Sequence, residues 1–112
     1  MLDSIDLVLR ITPLQAAQIV ETEIVNGAFS AELVDKYYTY GNSGECYVLV
    51  FEKYFMRTSS RASLTVFITN ISGVTRVHAV GSGGGQGTFL SFDWGAASSF
   101  AGNVAAALEQ YQ

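Results

Sequence analysis

Between residues 29 and 80 the chain runs in strand-like stretches, apolar on one face or on both, separated by turns too short for a crossover. Cys46, Val48 and Val50 alternate with Tyr47, Leu49 and Phe51. Ala62, Leu64, Val66 and Ile68 alternate with Ser63, Thr65, Phe67 and Thr69. Period two over such lengths is the signature of strands. Gly41-Asn42-Ser43-Gly44 and Asn70-Ile71-Ser72-Gly73 punctuate them as turns. Parallel neighbours need a connection of about a dozen residues or more, so these stretches must run antiparallel. Strands are expected over 29–40, 45–56, 61–71 and 75–80. The 45–56 stretch is apolar on both faces at its middle, which suits a central strand.

The flanks complete the pattern. Ile5, Leu7, Leu9 and Ile11 alternate with Ser4, Asp6, Val8 and Arg10 and predict a first strand. Thr12-Pro13-Leu14-Gln15 then supplies an N-cap, a proline at the first helical position and a glutamine that closes a capping box. Leu14, Ala17, Val20 and Ile24 continue at helical spacing, and Asn26-Gly27 predicts a left-handed C-cap, giving a helix over 13–26. From about Ala96 the helical period returns through Phe100, Val104, Leu108 and Tyr111, with Gly102 inside it. Asp93 is expected to cap or turn the chain, and Trp94 to close one end of the core before that helix. Phe89, Leu90 and Phe92 form a short strand or a plug of the core.

The order β-α-β-β-β-β-α makes an α+β fold, an antiparallel sheet of about five strands with two helices on one face. It is expected to form one domain over residues 1–112. The uncovered face would carry Ser63, Thr65, Thr69 and Phe67. This element order resembles the TATA-binding-protein-like topology, a likeness of fold that carries no function.

Composition narrows the setting. The chain has 112 residues, 49% of them hydrophobic and 14% charged, which is a folded composition. Cys46 is the only cysteine and His78 the only histidine, too few for a disulfide or a zinc site. The start MLDSIDLVLR has neither a basic lead nor a long apolar run, so no signal peptide, no membrane association and a cytoplasmic location are expected. The net charge of −4 disfavours nucleic acid. The middle third is nevertheless basic, with Lys36, Lys53, Arg57, Arg61 and Arg76 against Glu45 and Glu52.

The stretches VLVFEKYFMRTSSRASLTVFI (48–68) and RVHAVGSGGGQGTFLSFDWGA (76–96), with the Ala-rich helix after them, resemble a family of short bacterial proteins known only as a domain of unknown function. That resemblance implies a bacterial, cytosolic protein. It implies no activity and transfers no functional residue.

Few residues invite chemistry. VGSGGGQGTF, 80–89, sets five glycines in the seven positions from Gly81 to Gly87. A dinucleotide fingerprint fails at Gln86 in one frame and at Thr88 in the other, and no lysine follows to make a P-loop. No helix starts there to lend its dipole. The stretch reads as a turn or lid, with Gly83, Gly84, Gly85 and Gln86 offering a nest of backbone N–H groups to an anion. MRTSSRAS, 56–63, brings Arg57 and Arg61 around Ser59 and Ser60, a fork for carboxylate or phosphate. Strands three and five leave the sheet at the same end, so this turn and the glycine stretch should sit together.

His78 is the one candidate acid or base. It is expected on the same strand face as Arg76, whose charge would disfavour imidazolium, and a packing role is the plainer reading. Ser82, His78 and Asp93 can be combined on paper as a triad, but no nucleophile elbow supports them. Cys46 reads as a buried, inert thiol. Tyr37, Tyr38, Tyr40, Tyr47 and Tyr54 gather around the first hairpin, as tyrosines do in strands and at binding surfaces. No catalytic residue, metal or cofactor is expected. The chain reads as a non-enzymatic binding or interaction protein that associates through its open sheet face, as a homodimer, with a small anionic ligand near 57–61 and 81–87. The alternative is an enzyme acting on a phosphorylated or carboxylated small molecule.

Overall fold

A computed structural model describes residues 3–27, 30–56, 59–85 and 94–112. Five strands and two helices follow in the expected order: β1 (Asp3–Leu9), α1 (Pro13–Asn26), β2 (Glu32–Gly41), β3 (Gly44–Phe55), β4 (Ser60–Thr69), β5 (Thr75–Gly85) and α2 (Trp94–Leu108). A 3₁₀ turn, Glu109–Tyr111, ends the described chain. The strands form one sheet in the order β1-β5-β4-β3-β2, every neighbouring pair antiparallel.

Register divides the sheet into two unlike faces. Leu7 pairs with Val77, Val77 with Ile68 and Ile68 with Tyr47. Directly opposed residues share a face, so this row and the one through Ala79, Val66 and Leu49 point the same way. There they meet Val20 and Ile24 of α1 and Phe100, Val104 and Leu108 of α2 in one buried cluster. Both helices therefore cover this side. α1 begins as the sequence predicts: Thr12 Oγ1 accepts from the Gln15 N–H at 3.1 Å, and Gln15 Oε1 accepts from the Thr12 N–H at 3.0 Å. The 3₁₀ turn is fastened to the end of β1. Arg10 donates to the carbonyls of Tyr111 at 2.7 Å through its backbone N–H, and of Gln112 at 2.7 Å and Gln110 at 3.2 Å through its guanidinium.

Several local expectations change. Gly81–Gly85 is strand rather than turn or lid: it extends β5 and pairs with Ser60–Leu64 of β4. Side-chain alternation stops at the glycines, but backbone pairing does not. Gly81 and Gly83 are buried on the helix side while Ser82 points outward. Gly27 is extended, with φ −87° and ψ −157°, and caps α1 by donating its N–H to the Glu23 carbonyl without a left-handed turn. β4 stops at Thr69, and Ile71 is exposed in the turn beyond it. Trp94 opens α2 rather than preceding it. Phe89, Leu90, Phe92 and Asp93 lie outside the described residues.

Candidate functional site

Among the described residues, no element covers the sheet face away from the helices. Its rows run across all five strands. One joins Asp6, His78, Phe67, Val48 and Tyr37, and its neighbour joins Val8, Arg76, Thr69, Cys46 and Thr39. Val8, Phe67 and Tyr37 are exposed on it, Phe67 to 38%. Over β1, β5 and β4 the two rows enclose a hollow of about 410 Å³, lined by Val8, Phe67, Thr69, Arg76, His78 and Asp6 among others.

Two polar features edge this hollow. His78 Nδ1 lies 2.7 Å from Asp6 Oδ1. A carboxylate oxygen accepts, so Nδ1 is the donor in this pair. Arg76 shares this face with His78 as expected, but the partner of His78 is Asp6. The imidazole faces a carboxylate across β1 and β5, and it is exposed rather than packed away. Arg76 turns instead to the Ser72 hydroxyl, donating from Nε at 3.2 Å, and has no carboxylate partner among the described residues. Cys46 is half-buried on the same face, not fully buried, and its Sγ donates to Thr69 Oγ1 at 3.3 Å.

The end of the sheet expected to hold an anion has a different character. The start of β4 and the end of β5 do meet, since Ser60 pairs with Gly85 and Arg61 with Gly84. Arg61 pairs with Glu52 at 3.5 Å and lies 5.8 Å from the centre of the Tyr54 ring. Its charge is thus answered within the protein. Gly83, Gly84 and Gly85 lie extended in register with β4, rather than curled into a nest of N–H groups. Ser59 holds a positive φ of 51° in the turn, its N–H donating to the Met56 carbonyl. A shallow depression lined by Glu52, Arg61, Ser63, Ser82 and Gly83 remains. Arg57 and Gln86 lie outside the described residues.

His78 does not join that end. Six positions of β5 separate it from Gly84, about 20 Å along an extended strand. Ser82 is four positions away on the same face, about 13 Å. Among the described residues no three metal-ligating side chains cluster. No helix there is long and apolar enough to cross a membrane.

The Asp6–His78 pair is what sequence reasoning missed. Its members are 72 positions apart and meet only because β5, not β2, lies beside β1.

A family model described as "Family of unknown function (DUF6054)" matches residues 3–112. No curated protein matches the chain.

Proposed function

From the premise that the chain belongs to the DUF6054 family, whose function is unknown, we propose a non-enzymatic binding protein that associates through its open sheet face. The ligand is anionic with an apolar body, such as an aromatic or acyl carboxylate. One observation carries this reading: the hollow on the open face has Phe67 and Val8 as apolar walls and, at its edge, an arginine whose charge no described carboxylate answers. The hollow's size is that of a small-molecule site. A guanidinium grips a carboxylate through two parallel N–H donors. Arg61, tied to Glu52, is a poorer anion receptor than Arg76, so the reading moves the ligand from the sheet end to the face. The same proposal takes the protein to be bacterial, by its resemblance to short bacterial proteins, and cytoplasmic, where a lone thiol such as Cys46 stays reduced.

Calorimetric titration with phenylacetate and octanoate, against their uncharged methyl esters, tests it. The acids should bind and the esters should not. Arg76→Gln should weaken binding about tenfold or more, as loss of a charge-assisted hydrogen bond does, and Phe67→Ser should abolish it. Equal binding of acid and ester, or none of either, would sink the reading.

A second reading, an enzyme acting on a carboxylated or phosphorylated small molecule, has the Asp6–His78 pair in its favour, because the carboxylate fixes the tautomer a general base needs. No described hydrogen bond joins His78 to a hydroxyl or thiol that it could activate. Turnover of any such substrate by the wild type, lost in His78→Gln, would establish it.

A further inference from the structure

The geometry points to β2 as an interface with a second copy of this chain, the two β2 strands pairing antiparallel, edge to edge, about a two-fold axis at Tyr38. β2 is the outer strand on one side of the sheet and is ten residues long, with every residue but Leu33 exposed. Among the described residues no strand lies on one side of its backbone, and such an edge is a template for another chain. Val34, Tyr37, Tyr38 and Tyr40 add four exposed large apolar side chains, Tyr40 at 75%. The other edge, β1, is shorter, seven residues against ten, and offers less backbone to a second chain. β2 contains no proline, and its one irregularity falls between Leu33 and Asp35. The regular stretch is therefore Asp35–Gly41, and its centre is Tyr38.

The stretch complements itself. An axis at Tyr38 sets Tyr38 against Tyr38 of the partner subunit, Tyr37 against Thr39 of the partner subunit and Lys36 against Tyr40 of the partner subunit. Asp35 falls opposite Gly41 of the partner subunit. No charge opposes a like charge, which a cross-strand pair would penalise. Tyr38 already contacts Tyr40 at 5.7 Å and Tyr47 at 4.6 Å between ring centres, so the axis joins two such aromatic groups into one. A slip of one residue would turn each outward side chain toward the helix side. Only even steps are open, and the even steps away from Tyr38 run into the irregularity or off the end of the strand. Pairing in this way keeps all four helices on one side. The result is a ten-stranded sheet that leaves both open faces free for the ligand proposed above, without depending on it.

Sedimentation and disulfide trapping test this together. The wild type should sediment at twice its 12.1 kDa. In a Cys46→Ser background, Tyr38→Cys should cross-link nearly completely under mild oxidation, because directly opposed strand residues fall within disulfide reach. Thr39→Cys should not, because it faces position 37. Tyr40→Lys sets a lysine against Lys36 of the partner subunit and should yield a folded monomer with an unchanged circular dichroism spectrum. A wild type that stays monomeric at millimolar concentration would overturn the inference. So would Thr39→Cys cross-linking as readily as Tyr38→Cys. A dimer that survives Tyr40→Lys but dissociates in Phe67→Lys would put the second copy on the open face instead. Carboxylate binding is read separately by calorimetry, so either idea can fail alone.

Discussion

Gly44 and Gly102 differ in what a methyl group would meet. Gly44 has a φ of +145°, and a Cβ there would run into Asn70 Oδ1 and approach the Ile71 backbone nitrogen to 3.2 Å. That Asn70 oxygen accepts from the Glu45 N–H at 2.9 Å and ties the first hairpin turn to the end of β4. Gly44→Ala should cost about 1–3 kcal/mol, the usual penalty for a forced backbone conformation, and more if the Asn70 contact breaks. Gly102 lies exposed inside α2 with nothing within 4 Å of a Cβ. Gly102→Ala should therefore stabilise by about 0.5–1 kcal/mol. Urea denaturation of the two variants reads both. Both glycines were visible in the sequence, but the sign of each effect depends on neighbours 26 positions away or on their absence. Tyr47 carries a pH dependence of its own. Burial, then Glu45 and Tyr38 beside it, push its phenol above the ordinary value of 10.0. A raised folded pKa means that stability is complete below pH 10 and falls as pH rises past it. Tyrosinate absorbance should show one late-ionising phenol that Tyr47→Phe removes, and that variant should lose less stability at alkaline pH.

At the scale of elements, what was legible is what side-chain period can write. α1 starts at Pro13 and ends at Asn26 as its cap and spacing predict, because both signals are local. Thr12→Ala should cost about 1 kcal/mol, since it removes the acceptor of the Gln15 N–H, and thermal unfolding will register it as a drop of several degrees. The end of β5 was not legible, for a physical reason. Glycines have no side chain to alternate, so Gly81–Gly85 gave no period, and composition alone spoke for a turn. Ser60–Leu64 extends along the same line and completes the ladder; the partner strand, not the segment, decided the conformation. Gly27 shows the converse, a residue able to adopt the left-handed state that instead closes its helix extended, through one hydrogen bond to the Glu23 carbonyl. The candidate site suffered similarly. Arg61, Ser60 and Gly85 do come together, because strand direction was readable from the hairpins. That Glu52 would answer Arg61 depended on the register of β3 against β4.

Across the whole molecule the sheet separates stability from recognition by face, and β4 holds both within four residues. Leu64 points to the helix side, fully buried beside Phe51 and Gly81. Phe67 points to the open side at the hollow. Leu64→Ala leaves a cavity that the two helices cannot close without moving off the sheet, so it should cost about 2–5 kcal/mol, a large share of the 5–15 or so that holds a domain of this size together. Phe67→Ala removes a ring that water already reaches, so its cost should be closer to about 1 kcal/mol. Binding should respond in the opposite order. Leu64→Ala, where enough protein remains folded, should keep its carboxylate affinity, because Arg76, Val8 and Phe67 project from the opposite face of the sheet. Phe67→Ala should lose most of it. Denaturant midpoints and calorimetric titrations on the same two preparations provide the comparison. If both variants lose stability and affinity in the same proportion, the open face is an outer layer of the core. If the two losses separate as expected, its exposed aromatic and arginine are there for a ligand, since the fold does not need them.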